Sequence, residues 1–545
     1  MDRSFISRHS PLILALIIVG TLGLKLYFAT QYATYTDEVL SATVAESISE
    51  TGLPLLPPGT YYNRAYLHHY LLAIPVGLFG LDYLPIRINS ILFSLIAVAA
   101  VYVLGARVGR RDMALLAALL LSLSSIFNQS AMTGRMYMTY ATFSTLSFLF
   151  FHRGFVEGKT AGKWLAVACM VATMLSSEAG MLVGPVFGFA LVLYRGISLL
   201  RDRMVYVLFG VWALLYFLLA VMDLPQAYES FTAHSGAQRT FFISTDMSIR
   251  EIISNVSGPW RGLDRALPFS MPFFLLMTGA VIWRREFRRH YPIVVLLPQL
   301  VVVGVYTVYT VQHRTILAWL PLYLVSCCML LGTLIDWCGG SLVALLERSR
   351  AMARSRPLAL AAIAAAFLVL LAGFAATNGI RSPAEAGAYV YDAFGYHDKR
   401  AGYNMEAPYA YLASHVAPGD KVVVMTVEYA LFFFGADHDL YYLRERRVGD
   451  QDSPAYTQFD SEREPYYGKP LIDSPEKLEA LIEEGGEIWI VTDYKHYRYR
   501  HVGERMEALI EKEFQLVFDG YEEHRSRIYR RTIAVAAADP KPVAL

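Results

Sequence analysis

Asp37 and Glu38 are the most chemically suggestive pair in this 545-residue chain. They follow directly on an apolar run, residues 11–29, and open a stretch from Glu38 to Glu50. In that stretch Leu40, Val44 and Ile48 recur at i, i+4 and i+8, the spacing of one helix face, and Gly52 and Pro54 end it. Two readings stand side by side. In one, Asp37 is an N-cap and Glu38 a favourable charge at a helix N-terminus; in the other, one of them does chemistry. Neighbours on a helix diverge by about 100°, so the two carboxylates cannot address one atom and at most one is a direct catalyst.

Basic residues sharpen the second reading. Arg64, Arg87, Arg135 and Arg314 each sit at, or a few residues from, the end of a hydrophobic segment. A single one reads as a snorkelling side chain; four on one side call for another cause, and a guanidinium is the natural partner of a phosphate. Arg64 stands within Tyr61-Tyr62-Asn63-Arg64-Ala65-Tyr66, where Tyr62 and Tyr66 could stack on a sugar or form part of an aromatic membrane belt. Glu178 lies in an apolar turn, Lys25 late in the first apolar run, and His313 beside Arg314 in a short turn. An ionisable group at such a depth is a functional candidate, with snorkelling the alternative. His68 and His69 are adjacent and would point different ways on a helix. No metal-ligand spacing is present, and no cofactor is expected. Gly154 to Thr160 imitates a phosphate loop but has three residues between its glycines where the motif needs four, and no strand precedes it.

The elements that must position these residues are mostly membrane helices. Apolar residues make up 55% of the chain and charged residues 17%, against about 25% charged in soluble domains. That composition excludes a disordered or nucleic-acid-binding protein. Runs long enough to cross a bilayer (about 17–25 residues) lie near 11–29, 88–106, 112–129, 136–152, 204–222, 266–283, 291–312, 315–337 and 357–376. The stretch 164–194 reads as two short helices with a turn at Ser176 to Gly180. About eleven spans result.

Charge then orients them. The net charge of +1 conceals a balance of +10 over residues 1–376 and −9 over 377–545. With the N-terminus in the cytoplasm, the cytoplasmic segments hold 19 Lys and Arg, and the opposite loops, although longer, hold eight. This is the bias of the positive-inside rule. It predicts a multi-pass protein of the plasma (inner) membrane whose C-terminal part is extracytoplasmic. Two outer loops are long, 30–87 and 223–265. In the first, His68 to Gly80 is apolar but too short to span, and Pro75 interrupts it, so a re-entrant or interfacial segment is expected. Residues 377–545 read as an α/β domain, with strands at 421–426, 487–492, 514–518 and 527–533 and helices at 404–415, 474–484 and 503–512. The four cysteines, Cys169, Cys327, Cys328 and Cys338, fall in membrane segments, so no disulfide framework supports that domain.

Tyr35-Thr36-Asp37-Glu38, an acidic pair just after the first span, resembles the first external loop of the GT-C glycosyltransferases. The branch it resembles is the protein O-mannosyltransferase and lipid A aminoarabinose transferase superfamily. Leu78-Phe79-Gly80 with Pro85 to Ser90, Gly134-Arg135-Met136-Tyr137-Met138, and His313-Arg314 before a span with Pro321 extend the likeness over roughly residues 10–340. The resemblance implies a GT-C-like fold and transfer of a sugar from a polyprenyl phosphate to an acceptor hydroxyl of a protein, lipid or glycan at the outer membrane face. It makes Asp37 the base or the key acceptor contact, and Arg87, Arg135 and Arg314 candidate phosphate or sugar contacts. Many relatives carry an aspartate shortly after the arginine that matches Arg135; Thr139 and Tyr140 stand there in this chain, which leaves a two-carboxylate mechanism without its second acid.

That chemistry suits the residue types. A lipid phosphate leaves as an anion and needs no general acid, unlike a glycosidase leaving group; it needs cations, and the acceptor needs one base. Two competing classes are a lipid flippase or transporter and a membrane receptor with an exported binding domain. Transport calls for charges near the bilayer midplane, whereas these gather at one face, and a receptor would leave the arginines and the acidic pair without a purpose.

Overall fold

The structure is a computed structural model that describes residues 3–30, 36–222, 270–283, 317, 320–347, 405–435, 438–444, 462–464, 466–493, 502–521 and 526–531. The expected spans 291–312 and 357–376, the loop 223–265 and the boundary at 377 lie outside the described residues.

Helix α1 (Arg3–Ala29) is followed by α2 (Thr36–Thr51), α3 (Tyr66–Phe79) and α4 (Tyr83–Val108). Then come α5 (Arg111–Leu123), α6 (Ser125–Ala131), α7 (Tyr137–Phe151), α8 (Thr160–Ser176), α9 (Val183–Arg195) and α10 (Arg203–Tyr216). Further helices span Ser270–Trp283 and Leu320–Glu347. Among the described residues, Arg8–Ala29, Tyr83–Val108 and Leu320–Trp337 are long and apolar enough to cross a membrane, and Thr160–Ser176, Ala179–Arg195, Arg203–Leu219 and Phe274–Trp283 are shorter apolar helices.

Two departures from uniform spans have local causes. The run expected at 112–129 is broken at Ser124, whose backbone is extended (φ −67°, ψ 122°). Asn128 there donates to the Ser122 carbonyl at 2.9 Å, satisfying an oxygen that the interrupted helix would otherwise leave orphaned. The apolar stretch 164–194 divides where expected, with a 3-10 turn, Glu178–Leu182, between α8 and α9. The phosphate-loop look-alike, Gly154 to Thr160, begins in a π-helical turn, His152–Val156, and ends at the first residue of α8. Its glycine serves packing, because a Cβ on Gly154 would stand 2.5 Å from the Lys163 nitrogen.

Helix α4 sets the scale of the bundle. Twenty residues separate Arg87 near its N-terminus from Arg107 in its last turn, about 30 Å at 1.5 Å per residue, the thickness of a bilayer's hydrocarbon core. Arg107 pairs with Glu157 at 3.4 Å, and Arg195 and Lys163 share Asp202. Helices α2 and α3 lie at the Arg87 end. There Asn89 on α4 donates to the Leu71 carbonyl at 2.6 Å, and Tyr70 on α3 donates to the Gly52 carbonyl just past α2 at 3.0 Å. Deeper in the bundle Lys25 is fully buried, donating to Ser94 at 2.7 Å and lying 5.1 Å from the Phe127 ring centroid.

The C-terminal part forms a six-stranded sheet: β1 (Lys421–Val424), β2 (Asp439–Leu443), β3 (Leu471–Ile472), β4 (Ile488–Thr492), β5 (Gln515–Gly520) and β6 (Ser526–Arg531), in the order β3-β2-β1-β4-β6-β5. Strands β3, β2, β1 and β4 run parallel; β6 and β5 close the edge antiparallel. Strand β4 is buried throughout, and its side chains alternate between two cores as a pleated strand requires. Trp489 and Val491 pack with the helices Glu406–His415 and Val427–Phe433, and Ile488 and Ile490 with Pro475–Glu483 and Glu504–Glu513. Beyond the four strands and three helices expected, the structure adds β2, β3 and the Val427–Phe433 helix.

That added helix makes a junction. Phe432 joins the core between α2, α3 and α4, and its ring meets Tyr83 edge-on at 5.6 Å between centroids. Leu40 of α2 packs in turn against the core of the sheet.

Candidate active site

Helix α2 separates the acidic pair as its geometry demands. Glu38 turns inward and is fully buried, while the Asp37 side chain keeps 35% of its exposure. Glu38 grips Arg87 in a bidentate pair, accepting from Nε at 2.9 Å and from Nη2 at 2.8 Å. Its Oε1 also accepts the Gly134 N–H at 2.6 Å. Arg87 is itself fully buried, and its Nη1 donates to the Ala29 carbonyl at the end of α1. One ion pair thus ties together α1, α2, α4 and the turn between α6 and α7. Planar bidentate pairing of this kind fixes geometry as well as charge.

The turn it holds presents Arg135. Gly134 gives its N–H to Glu38, its carbonyl accepts from His68 Nε2 at 3.3 Å, and the Arg135 carbonyl accepts from Ser90 at 3.4 Å. A carbonyl can only accept, so His68 carries its proton on Nε2 and its bare Nδ1 accepts from the Thr139 hydroxyl at 3.2 Å. Glycine is required here sterically, since a Cβ at position 134 would lie 2.5 Å from the Ile86 carbonyl oxygen.

Arg135 then reaches Asp37. Its Nη1 donates to the Asp37 carbonyl at 2.9 Å and to Ser41 at 2.8 Å, and its Nη2 stands 3.4 Å from the Asp37 carboxylate. The guanidinium also lies 5.9 Å from the Tyr137 ring centroid. Burial is the largest influence and works against its charge, but Asp37, Tyr137 and Tyr62 together outweigh burial and hold the pKa above the ordinary arginine value. The histidines beside it go the other way. Burial, then the Arg135 charge, brings His69 down to about 4, and His68 is held well below 6.5 by burial, His69 and Arg135. Both rings are neutral near pH 7.

The other sequence candidates are placed less centrally. Tyr62 is half-buried and meets the His69 ring edge-on at 5.2 Å between centroids; Tyr66 and Arg64 are also half-buried. Between the last two, Ala65 adopts a left-handed backbone (φ 48°), an uncommon conformation for a residue with a Cβ; its carbonyl accepts from His69 Nδ1 at 3.0 Å. Glu178 opens the 3-10 turn after α8, its side chain outside the described part, and Tyr140 reaches that turn through the Ala179 carbonyl at 3.3 Å. His313 and Arg314 lie outside the described residues. Among the described residues, no three His, Cys, Asp or Glu side chains gather as a metal site.

Sequence reasoning missed Gly134, Ser41 and the His68–Thr139 pair as parts of this cluster. Ser41 carried a signal, standing one helical turn after Asp37; His68 and Thr139, 71 residues apart, carried none.

Residues 63–222 match the family described as dolichyl-phosphate-mannose-protein mannosyltransferase. An uncharacterized protein of Aquifex aeolicus (strain VF5) is 27% identical over 236 residues, 41% of this chain and 44% of the relative. The alignment thus spans less than half of that relative's length. In fold, the chain is similar to ArnT of Cupriavidus metallidurans bound to undecaprenyl phosphate, with TM-score 0.62 and 15% identity over 96% of this chain and 99% of that one. It is also similar to the oligosaccharyltransferase of Archaeoglobus fulgidus, with TM-score 0.54 and 13% identity over 94% of this chain and 74% of that one. The resemblance drawn from the sequence agrees with these matches: residues 63–222 match the mannosyltransferase family, and the fold is similar to that of ArnT and of the oligosaccharyltransferase.

Proposed function

We propose that this membrane protein transfers a sugar from a polyprenyl-phosphate-linked donor to an acceptor hydroxyl at the outer membrane face, with Asp37 as the base. The observation that carries the reading is the division of labour within the acidic pair. Glu38 is consumed by a buried scaffold with Arg87, which leaves Asp37 as the partly exposed carboxylate, oriented by Arg135. The matched mannosyltransferase family and the fold shared with an undecaprenyl-phosphate-bound ArnT support the donor class. The excess of Lys and Arg in the loops away from Asp37 supports its placement at the outer face.

In the reaction the acceptor oxygen bonds to the anomeric carbon as the bond from that carbon to the phosphate oxygen breaks. Asp37 takes the acceptor proton, and the lipid phosphate departs as an anion without needing one. Arg135 fixes Asp37 through the backbone carbonyl and the carboxylate together, so the base is held before substrate arrives. With Arg87 committed to Glu38, Arg64 beside Tyr62 and Tyr66 is the better candidate for the departing phosphate, together with Arg314. The acceptor is a protein, lipid or glycan hydroxyl.

The test is Asp37→Asn in membranes supplied with a lipid-linked sugar. Loss of a base costs about 10²–10⁴-fold in rate, and transfer should fall by that much at unchanged protein abundance. Transfer near the wild-type rate would overturn the assignment of Asp37. Mass spectrometry of lipid retained through purification tests the donor independently: a polyprenyl phosphate or its sugar ester is expected.

A further inference from the structure

A short turn of the C-terminal part packs against the core formed by α2, α3 and α4. Glu464 is buried, and its carboxylate accepts the N–H groups of Tyr466 at 2.9 Å and Tyr467 at 2.6 Å. The Gly468 N–H returns to the Glu464 carbonyl at 2.8 Å, the Glu464 N–H goes to the Lys469 carbonyl at 2.7 Å, and Arg463 donates to the Gly468 carbonyl at 2.9 Å. A turn closed by this many internal bonds has a fixed shape. Gly468, at φ +67°, lies against the loop after α2, where an added Cβ would come within 3.3 Å of Pro58.

The turn presents two tyrosines with different fates. Tyr467 is buried in the core of the sheet, whereas Tyr466 is half-buried and packs in both that core and the one formed by α2, α3 and α4. Burial, then the neighbouring Tyr62, pushes the Tyr466 hydroxyl up to about 12, and it also feels the charges of Arg64, Glu464 and Asp37. It therefore remains a neutral donor, and Tyr62 packs against the same α2–α3–α4 core as Tyr466. Tyr62 and Tyr466 come from opposite sides of the junction, both are half-buried, and each carries an aromatic ring with a hydroxyl, the combination suited to a pyranose ring.

We propose that Tyr466 completes a carbohydrate subsite with Tyr62 beside Asp37, so that the C-terminal domain supplies part of the sugar-binding site. The proposal rests on the glycosyl-transfer reading above. Its substrate class is a pyranose, carried either by the lipid donor or by a glycan acceptor. Tyr466 would position the sugar while Asp37 handles the proton, and donor selection would depend on the domain remaining docked through Phe432 and Leu40.

The experiment measures binding by the full-length protein of bare polyprenyl phosphate, polyprenyl phosphates bearing mannose, glucose or 4-amino-4-deoxyarabinose, and the methyl glycosides of those sugars. Tyr466→Phe keeps the ring and its packing, and Tyr466→Ala removes both. Loss of one neutral hydrogen bond, about 1 kcal/mol, lowers affinity about 5-fold, and loss of the ring should lower it further. A loss confined to sugar-bearing lipids, with bare lipid unchanged, supports the proposal and assigns the subsite to the donor. A loss confined to methyl glycosides supports it and assigns the subsite to an acceptor glycan. Equal affinities for wild type and both variants, or an equal loss for bare and sugar-bearing lipid, would overturn it. If the wild-type protein binds none of the lipids, the donor reading fails, and this proposal fails with it. Thermal denaturation of Tyr466→Phe checks docking, and a midpoint equal to wild type is expected.

Discussion

Replacing Glu38 by glutamine keeps the shape of the side chain and removes its charge from the most enclosed ion pair near the site. Glu38 accepts from Arg87 Nε, Arg87 Nη2 and the Gly134 N–H, and both partners' side chains have 0% exposure. Glutamine retains one acceptor oxygen for these three donors and turns an amide N–H₂ toward a guanidinium. The buried Arg87 charge then loses its carboxylate partner. Breaking such a pair from one side costs about 3–5 kcal/mol, roughly 10²–10⁴-fold in the ratio of folded to unfolded protein. Thermal denaturation of the purified full-length protein in detergent reads this as a drop of several degrees. Glu476→Gln is the control, since its partner Arg505 is 78% exposed and exposed pairs contribute little. The double variant Glu38→Leu with Arg87→Met should recover much of the loss, because a buried pair replaced as a unit by apolar groups is often neutral. A Glu38→Gln midpoint equal to that of Glu476→Gln would refute the reasoning. So would a double variant as unstable as the sum of the single changes.

Gly134→Ala should lower sugar transfer at least 10-fold, because the added Cβ meets the Ile86 carbonyl oxygen at 2.5 Å and displaces the turn that aims Arg135; normal transfer by this variant would count against the turn's positioning role. The neutral histidines predict acid sensitivity. A ring held below 6.5 when folded takes up protons more readily when unfolded, so its stabilising contribution is complete above about pH 6.5 and is lost as pH falls toward about 4 for His69. The slope approaches about 1.4 kcal/mol per pH unit for each ring. Denaturation midpoints measured from pH 7.5 to 4.5 should fall, and His69→Phe should fall less steeply; parallel curves would show that His69 is not responsible.

The parts of this protein legible along the chain were those set by local physics. Apolar runs marked α1, α4 and the Leu320–Glu347 helix because length and hydropathy alone decide what can span a bilayer. The turn between α8 and α9 stood out because Ser176-Ser177-Glu178 interrupts an apolar stretch, and the strands at 421–424 and 488–492 because β-branched runs between turns have few alternatives. The break at Ser124 was hidden: Leu119 to Leu121 precede it and Ile126-Phe127 follow closely, and its compensation, Asn128 folding back to Ser122, is a side-chain contact that periodicity does not register. The helix Val427–Phe433 was hidden for a related reason. It is only seven residues long, too short for a helical period to emerge from an apolar segment.

The candidate site divides the same way. The residue types and the 100° step of a helix determined that Asp37 and Glu38 must point apart, and the likeness to the GT-C glycosyltransferases followed from the acidic pair and its neighbours. Which carboxylate faces inward depends on where Arg87 and Gly134 stand, 49 and 96 residues from Glu38, and only the folded arrangement of α1, α2, α4 and the turn before α7 decides it. The same holds for Tyr466, more than 400 residues from Asp37 along the chain. A sequence carries the charge and reach of each side chain, whereas the enclosure that makes Glu38 a scaffold and leaves Asp37 partly open is a property of the space between elements.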